Sequence, residues 1–125
     1  MELRSVEELM DLLYACRHLR ALRTAALLRR GRPADKELQI AGLVQGIEDL
    51  LGPADGAAHA VRHLLGERVY HLVRGDGAAV RDDVLRLRQA HEESRTASFD
   101  AGVLEDWRTV LELVAARNSR LGAVD

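Results

Sequence analysis

Aromatic residues are scarce in this sequence: Tyr14, Tyr70, Phe99 and Trp107 make up 3% of its 125 residues. Isoleucine is scarce too, with two residues against twenty-one Leu, eighteen Ala and eleven Val. Strands draw on β-branched and aromatic side chains, whereas Ala, Leu, Arg and Glu favour helices, so an all-β domain is excluded. Cys16 is the only cysteine. It cannot form an internal disulfide, and its apolar neighbours point to a small buried hydrophobe in a reducing compartment. No apolar run approaches the roughly 18 residues that a membrane span needs. The opening Met-Glu-Leu-Arg-Ser has no apolar signal core. The expectation is a cytoplasmic protein without a membrane partner.

A basic excess is also missing. Lys and Arg total 18 against 20 Asp and Glu, for a net charge of −2, and Lys36 is the only lysine. Near-neutrality argues against a nucleic-acid partner. The local patch Arg29, Arg30 and Arg32 reads as a solvated helix end, where cations favour the helix dipole. What is present is a globular balance, 47% apolar, which excludes disorder. The length suits a single domain over 1–125.

The helices follow from spacing. Ser5 and Glu8 have the separation of a capping box and start a helix through Leu9, Leu12, Leu13 and Cys16. A second pattern runs from about 17 to 30 and ends at Gly31 and Pro33, with no breaker separating it from the first. The segment from about 35 to 51 is apolar nearly all round, which places it in the middle of a bundle. Further patterns span about 57–73, interrupted at Gly66, then 78–96 and 101–118. These predict an all-α, compact bundle of five to seven helices.

Candidate functional residues are few. His59 and His63 stand at i, i+4, a spacing that can chelate a metal. They lie roughly 120–160° from Leu65 on the helix, so they are expected at the surface. His71 and His18 have no acidic or histidine partner at a useful spacing. The pairs Asp82-Asp83 and Glu92-Glu93 read as solvated helix faces rather than catalytic carboxylates. His91 differs, because Val80, Val84, Leu87 and His91 form an apolar stripe that carries it inward. Arg20, seven residues after Leu13, and Gln45, inside the most apolar helix, share that inward placement. The three form either a satisfied structural network or a polar pocket between helices. No nucleophile elbow, phosphate-cradling glycine loop, zinc spacing or dinucleotide fingerprint occurs.

The stretch Arg20-Ala-Leu-Arg-Thr-Ala-Ala-Leu-Leu, followed by Leu38-Gln-Ile-Ala-Gly-Leu-Val-Gln-Gly-Ile-Glu-Asp-Leu-Leu, resembles the first two helices of the HD-domain superfamily. It looks nearest to the branch of inositol oxygenase and the phosphonate-cleaving oxygenases. That branch runs His-x-x-Gln-Thr-Ala, then Ala-x-Leu-Leu-His-Asp-Ile-Gly-His. The segment from Gly56 to Val73 resembles the family's Gly-Ala-x-x-Val-x-x-Leu-x-Gly-x-x-Val helix. Leu87 to Arg95, with Trp107 and its flanking aliphatics, resembles the two closing helices. The likeness touches nearly the whole chain but rests on apolar framework.

It departs where the family's chemistry lies. The first metal-binding His falls on Arg20, the paired His-Asp on Gln45 and Gly46, and the next His near Asp55. The His after the Leu-Val helix falls on Gly75 or Asp76, and the late Asp ligand on His91. The chain is also shorter than the branch between Asp76 and Val84. Arg offers no lone pair and Gly no side chain, so the resemblance implies an HD scaffold without its metals and with no cofactor. Arg20 then supplies positive charge where relatives hold metal, balanced by Asp76, Asp49 or Asp55.

The functional expectation is a non-catalytic module that binds an anionic small molecule or a protein partner, with Arg20, Gln45, His91, Asp49 and Asp76 as its ligand-binding residues. One alternative is a metal-free enzyme with His91 as acid/base and Arg20 as anion clamp. A further one is a metal-dependent phosphohydrolase or oxygenase whose site is rebuilt from His18, His59, His63 or His91.

Overall fold

The computed structural model describes residues 2–16, 18–52, 54–77 and 80–123; the side chains of 49, 54, 55 and 120–123 lie outside that description. Among the described residues the chain is all helix, without strands. Seven helices of at least two turns carry the architecture: α1 (Val6–Ala15), α2 (Leu19–Gly31), α3 (Lys36–Val44), α5 (Ala54–Leu65), α6 (Glu67–Arg74), α7 (Arg81–Glu93) and α8 (Arg108–Ala123). Between them sit the single-turn α4 (Glu48–Leu51) and 3₁₀ segments at Gln45–Ile47 and Leu104–Trp107.

Local chemistry places the ends. The Ser5 hydroxyl accepts the Glu8 amide at 3.2 Å, while the Glu8 carboxylate reaches back to the Arg4 amide at 3.0 Å. α1 stops where Cys16 turns extended, with φ −105° and ψ 173°, so α1 and α2 are two helices and not one bent rod. Cys16 is half-buried rather than fully enclosed. Gly66, at φ +98°, splits α5 from α6 where the sequence interruption falls. A side chain there would also meet Asn118 Oδ1 at 3.0 Å. Asn118 donates to the carbonyls of His63 and Leu64, and so closes the end of α5.

α3 is the axis. Every residue from Leu38 to Val44 is buried, and the helix touches α2, α6, α7 and α8. Its approach to α2 depends on small residues. A Cβ on Gly42 would sit 2.7 Å from Leu28 Cδ1 and 3.0 Å from Thr24 Cγ2, and one on Gly46 would sit 2.9 Å from the Ala21 Cβ. Gly42 in α3 and Gly46 in the 3₁₀ turn that follows it thus form a seam that admits α2.

The N-terminal end of α3 is held by charge. Asp35 caps it by accepting the Leu38 amide at 3.2 Å. Arg68 on α6 then grips Asp35 through two bonds of 2.6 and 2.7 Å, and reaches Asp83 on α7 at 3.2 Å. Arg32, just past α2, meets the other Asp83 oxygen at 3.2 Å. One ionic cluster thus joins four helices. It also corrects two expectations. Asp83 is 6% exposed, not part of a solvated face. The basic end of α2 is not simply solvated either: Arg32 is paired, and the Arg29 and Arg30 guanidiniums lie over the rings of Trp107 and Phe99.

Among the described residues no helix is long and apolar enough to cross a membrane.

Two measurements test this framework. Gly42→Leu is expected to lower the unfolding free energy by about 1–3 kcal/mol in urea denaturation, because overpacking forces α2 and α3 apart. Asp35→Asn keeps a competent cap and removes the charge, so it should cost about 1–3 kcal/mol at neutral pH. Arg68's hydrogen bonds hold the Asp35 carboxyl below its ordinary value of 3.8, outweighing the opposing effect of burial. The unfolded chain therefore binds that proton first, and the contribution is present above the ordinary value and lost as pH falls below it. The acid limb of the wild-type stability profile should be steeper than that of Asp35→Asn.

Candidate functional site

α2 and α7 run antiparallel: Arg20, at the start of α2, meets Ser94 at the end of α7, while Arg32, past the end of α2, meets Asp83 in the first turn of α7. Arg20 stands one residue into α2. Its Nε donates to Ser94 Oγ at 3.2 Å and its Nη2 to the His91 carbonyl at 3.1 Å. Ser94 is fully buried and donates its own hydroxyl proton to the same carbonyl at 2.6 Å. The last carbonyls of a helix have no intrahelical donor and carry partial negative charge. Arg20 and Ser94 supply donors to one of them. The guanidinium works here as a C-terminal clasp on α7.

Two of the expected polar residues therefore meet, but through the His91 backbone. The His91 ring is half-buried, and desolvation, aided by the nearby positive charge of Arg20, lowers its pKa from the ordinary 6.5. Gln45 opens the 3₁₀ segment after α3. Its side-chain carbonyl oxygen is buried without a hydrogen-bond partner. Neighbouring Gly46 abuts Ala21, the residue after Arg20.

Asp76 is elsewhere. His71 Nδ1 lies 2.9 Å from its carboxylate, and Arg74 lies 3.7 Å from it. Arg20 donates instead to Ser94 and to the His91 carbonyl. The expected pairing of Asp76 with Arg20 is replaced by contacts of Asp76 with His71 and Arg74. His71, expected without a useful partner, also has Glu67 within 3.5 Å. The side chains of Asp49 and Asp55 lie outside the described residues.

His59 and His63 are exposed, as their helical angle implied. They border a cleft of about 990 Å³ with Arg4, Arg62, Glu67 and Asn118. Among the described residues no three His, Cys, Asp or Glu side chains are grouped to hold a metal ion. That cleft and four further cavities among the described residues are lined without Arg20, Gln45 or His91.

In comparisons with protein-family models, curated proteins and solved structures, nothing matches this chain.

Two groups escaped the sequence. The cluster of Arg32, Asp35, Arg68 and Asp83 had one visible sign, Asp35 at the start of a helical pattern. The stacking of Arg29 and Arg30 on Trp107 and Phe99 had none, since about 70 residues or more separate each pair in the chain.

A clasp and an acid/base group respond differently to substitution. Arg20→Met is expected to lose about 1.5–3 kcal/mol, the scale of hydrogen bonds to a charged group. His91→Ala leaves the backbone carbonyl in place and should cost under about 1 kcal/mol. Because the folded state disfavours protonated His91, its contribution is retained above 6.5 and lost as pH falls below that value. Thermal denaturation across pH 5–8 should therefore be flatter for His91→Ala than for wild type.

Proposed function

We propose that this chain is a non-catalytic binding module of the cytoplasm, built on an HD-like helical scaffold without a metal centre. The observation that carries this reading is the Arg20 clasp. In the resemblance, Arg20 takes the position of the first metal-binding His. Its guanidinium has no lone pair to offer and is engaged by Ser94 and the His91 carbonyl. Gly46, in the position of the paired Asp, has no donor atom, and Ala21 fills the space a side chain there would need. The donor set does not fit a metal pair.

Metal-dependent hydrolysis or oxygenation is disfavoured by those same residues. A metal-free enzyme with His91 as acid/base needs a cavity beside the imidazole, and none of the five cavities described above has it as a lining residue. A module that recognises an anionic small molecule or a protein surface asks only for a stable scaffold and exposed donors. The chain has both, with a continuous apolar core beneath a surface rich in arginine.

Elemental analysis of the purified protein tests the reading. The expected result is iron, manganese and zinc far below one atom per chain, unchanged in Arg20→Met. Stoichiometric metal retained through gel filtration would overturn it.

A further inference from the structure

The last turn of α2 faces the loop that leads into α8, and between them lies a cavity of about 310 Å³. That volume is at the lower end of the range small-molecule sites occupy. Ala26 lies on its wall, with Arg29 and Arg30 one turn further along the helix. The Arg29 guanidinium sits 4.8 Å from the centre of the Trp107 ring, and that of Arg30 sits 4.3 Å from the centre of the Phe99 ring.

A cation over an aromatic face can be held without a hydrogen-bond acceptor, and neither the Arg29 nor the Arg30 guanidinium meets a carboxylate among the described residues. Asp100 and Asp106 border the same cavity, yet neither pairs with Arg29 or Arg30. Each serves its own loop instead: Asp100 accepts the Gly102 amide at 2.8 Å and Asp106 accepts the Val103 amide at 3.3 Å. Arg23 lies seven residues before Arg30, on the same face of α2 two turns away. Its Nε is buried without a partner, which adds positive potential along that face. Elsewhere, by contrast, Arg32, Arg62, Arg68, Arg74, Arg86, Arg95 and Arg108 all meet carboxylates.

We propose that this cavity binds a small organic anion, with Arg29 and Arg30 gripping its carboxylate or phosphate group and the half-buried Phe99 ring beside its body. Two guanidiniums held apart by their rings suit a group with several acceptor oxygens, and planar forks make charge-assisted pairs with carboxylate and phosphate alike. The proposal rests on the chain being a binding module and deepens it by naming the ligand's chemistry. The site is distinct from the Arg20 clasp.

Trp107 is the only tryptophan, so its fluorescence reports this cavity alone. The probes are benzoate and phenyl phosphate, with benzamide as the neutral control, titrated into the whole protein and repeated by calorimetry. A saturable emission change is expected with the anions and none with benzamide. The dissociation constant should fall below about 1 mM and weaken about tenfold or more in Arg30→Gln and in Arg29→Gln, with Arg81→Gln unchanged. Circular dichroism establishes that each variant is folded. Arg30→Gln, whose partner ring is only half-buried, is the variant least able to disturb the core.

A flat titration of wild type by both methods up to about 10 mM, an order of magnitude above the expected constant, overturns the proposal. So does equal binding of benzamide, or wild-type affinity in the folded Arg30→Gln. These outcomes are separable from failure of the module reading. Stoichiometric metal overturns that reading and leaves the titration standing, whereas a flat titration removes this ligand and leaves the metal result untouched.

Discussion

A helix buried over seven consecutive residues has no slack to absorb a poor fit. α3 imposes that constraint on the rest of this molecule. Seven consecutive residues, Leu38 to Val44, are out of solvent, so α2, α6, α7 and α8 must close around them. Gly42 and Gly46 set how near α2 can come. The orphan amides at the start of α3 require a partner; Asp35 provides it and is itself steadied by Arg68. Because Arg68 also meets Asp83, and Asp83 meets Arg32, capping one helix fixes the relative positions of three others.

Arginine supplies much of what the missing aromatics and lysines do in other bundles. Trp107, Phe99 and Tyr70 each have at least one guanidinium over the ring, and Tyr70 has two, from Arg62 and Arg74. A planar, weakly hydrated cation can lie against a ring and still present donors at its edge, which an ammonium does less well. The same geometry lets Arg68 grip Asp35 with two bonds and lets Arg20 span Ser94 and a helix carbonyl. The arginines at the end of α2 are distinctive because they are stacked without an acid, although two acids border the same cavity.

Periodicity was a good guide where a residue's neighbours lie on its own helix. It set His59 and His63 outside and identified α3 as the central helix, while Arg20 and His91, expected inward, are half-buried and Val80, at the head of the stripe expected to carry His91, is exposed. It failed where the answer depended on another element. Asp83 looked like half of a solvated acidic pair; Arg68 and Arg32, from α6 and the end of α2, make it a buried hub. Asp76 was expected opposite Arg20, but the turn after α6 delivers it to His71 only five residues back. Even the Arg20–His91 contact is made by a main-chain carbonyl, and side-chain patterning carries no information about which carbonyl a helix end leaves open.

Composition and spacing alone determined that this protein is helical and which helix occupies the centre. Those properties come from local propensity and from 3.6-residue periodicity, both written in short stretches of chain. The single helix expected over 35–51 instead breaks at Val44 into α3, a 3₁₀ turn and α4, and α8 starts at Arg108 rather than near 101. Only the tertiary structure decided which charges meet. Ion pairs and cation–π contacts form between residues tens of positions apart, and a few ångströms in helix placement separate a solvated arginine from a clasp, a hub or a stacked cation. Here that placement engaged Arg20 with Ser94 and a helix carbonyl, and left Arg29 and Arg30 over aromatic rings beside a cavity.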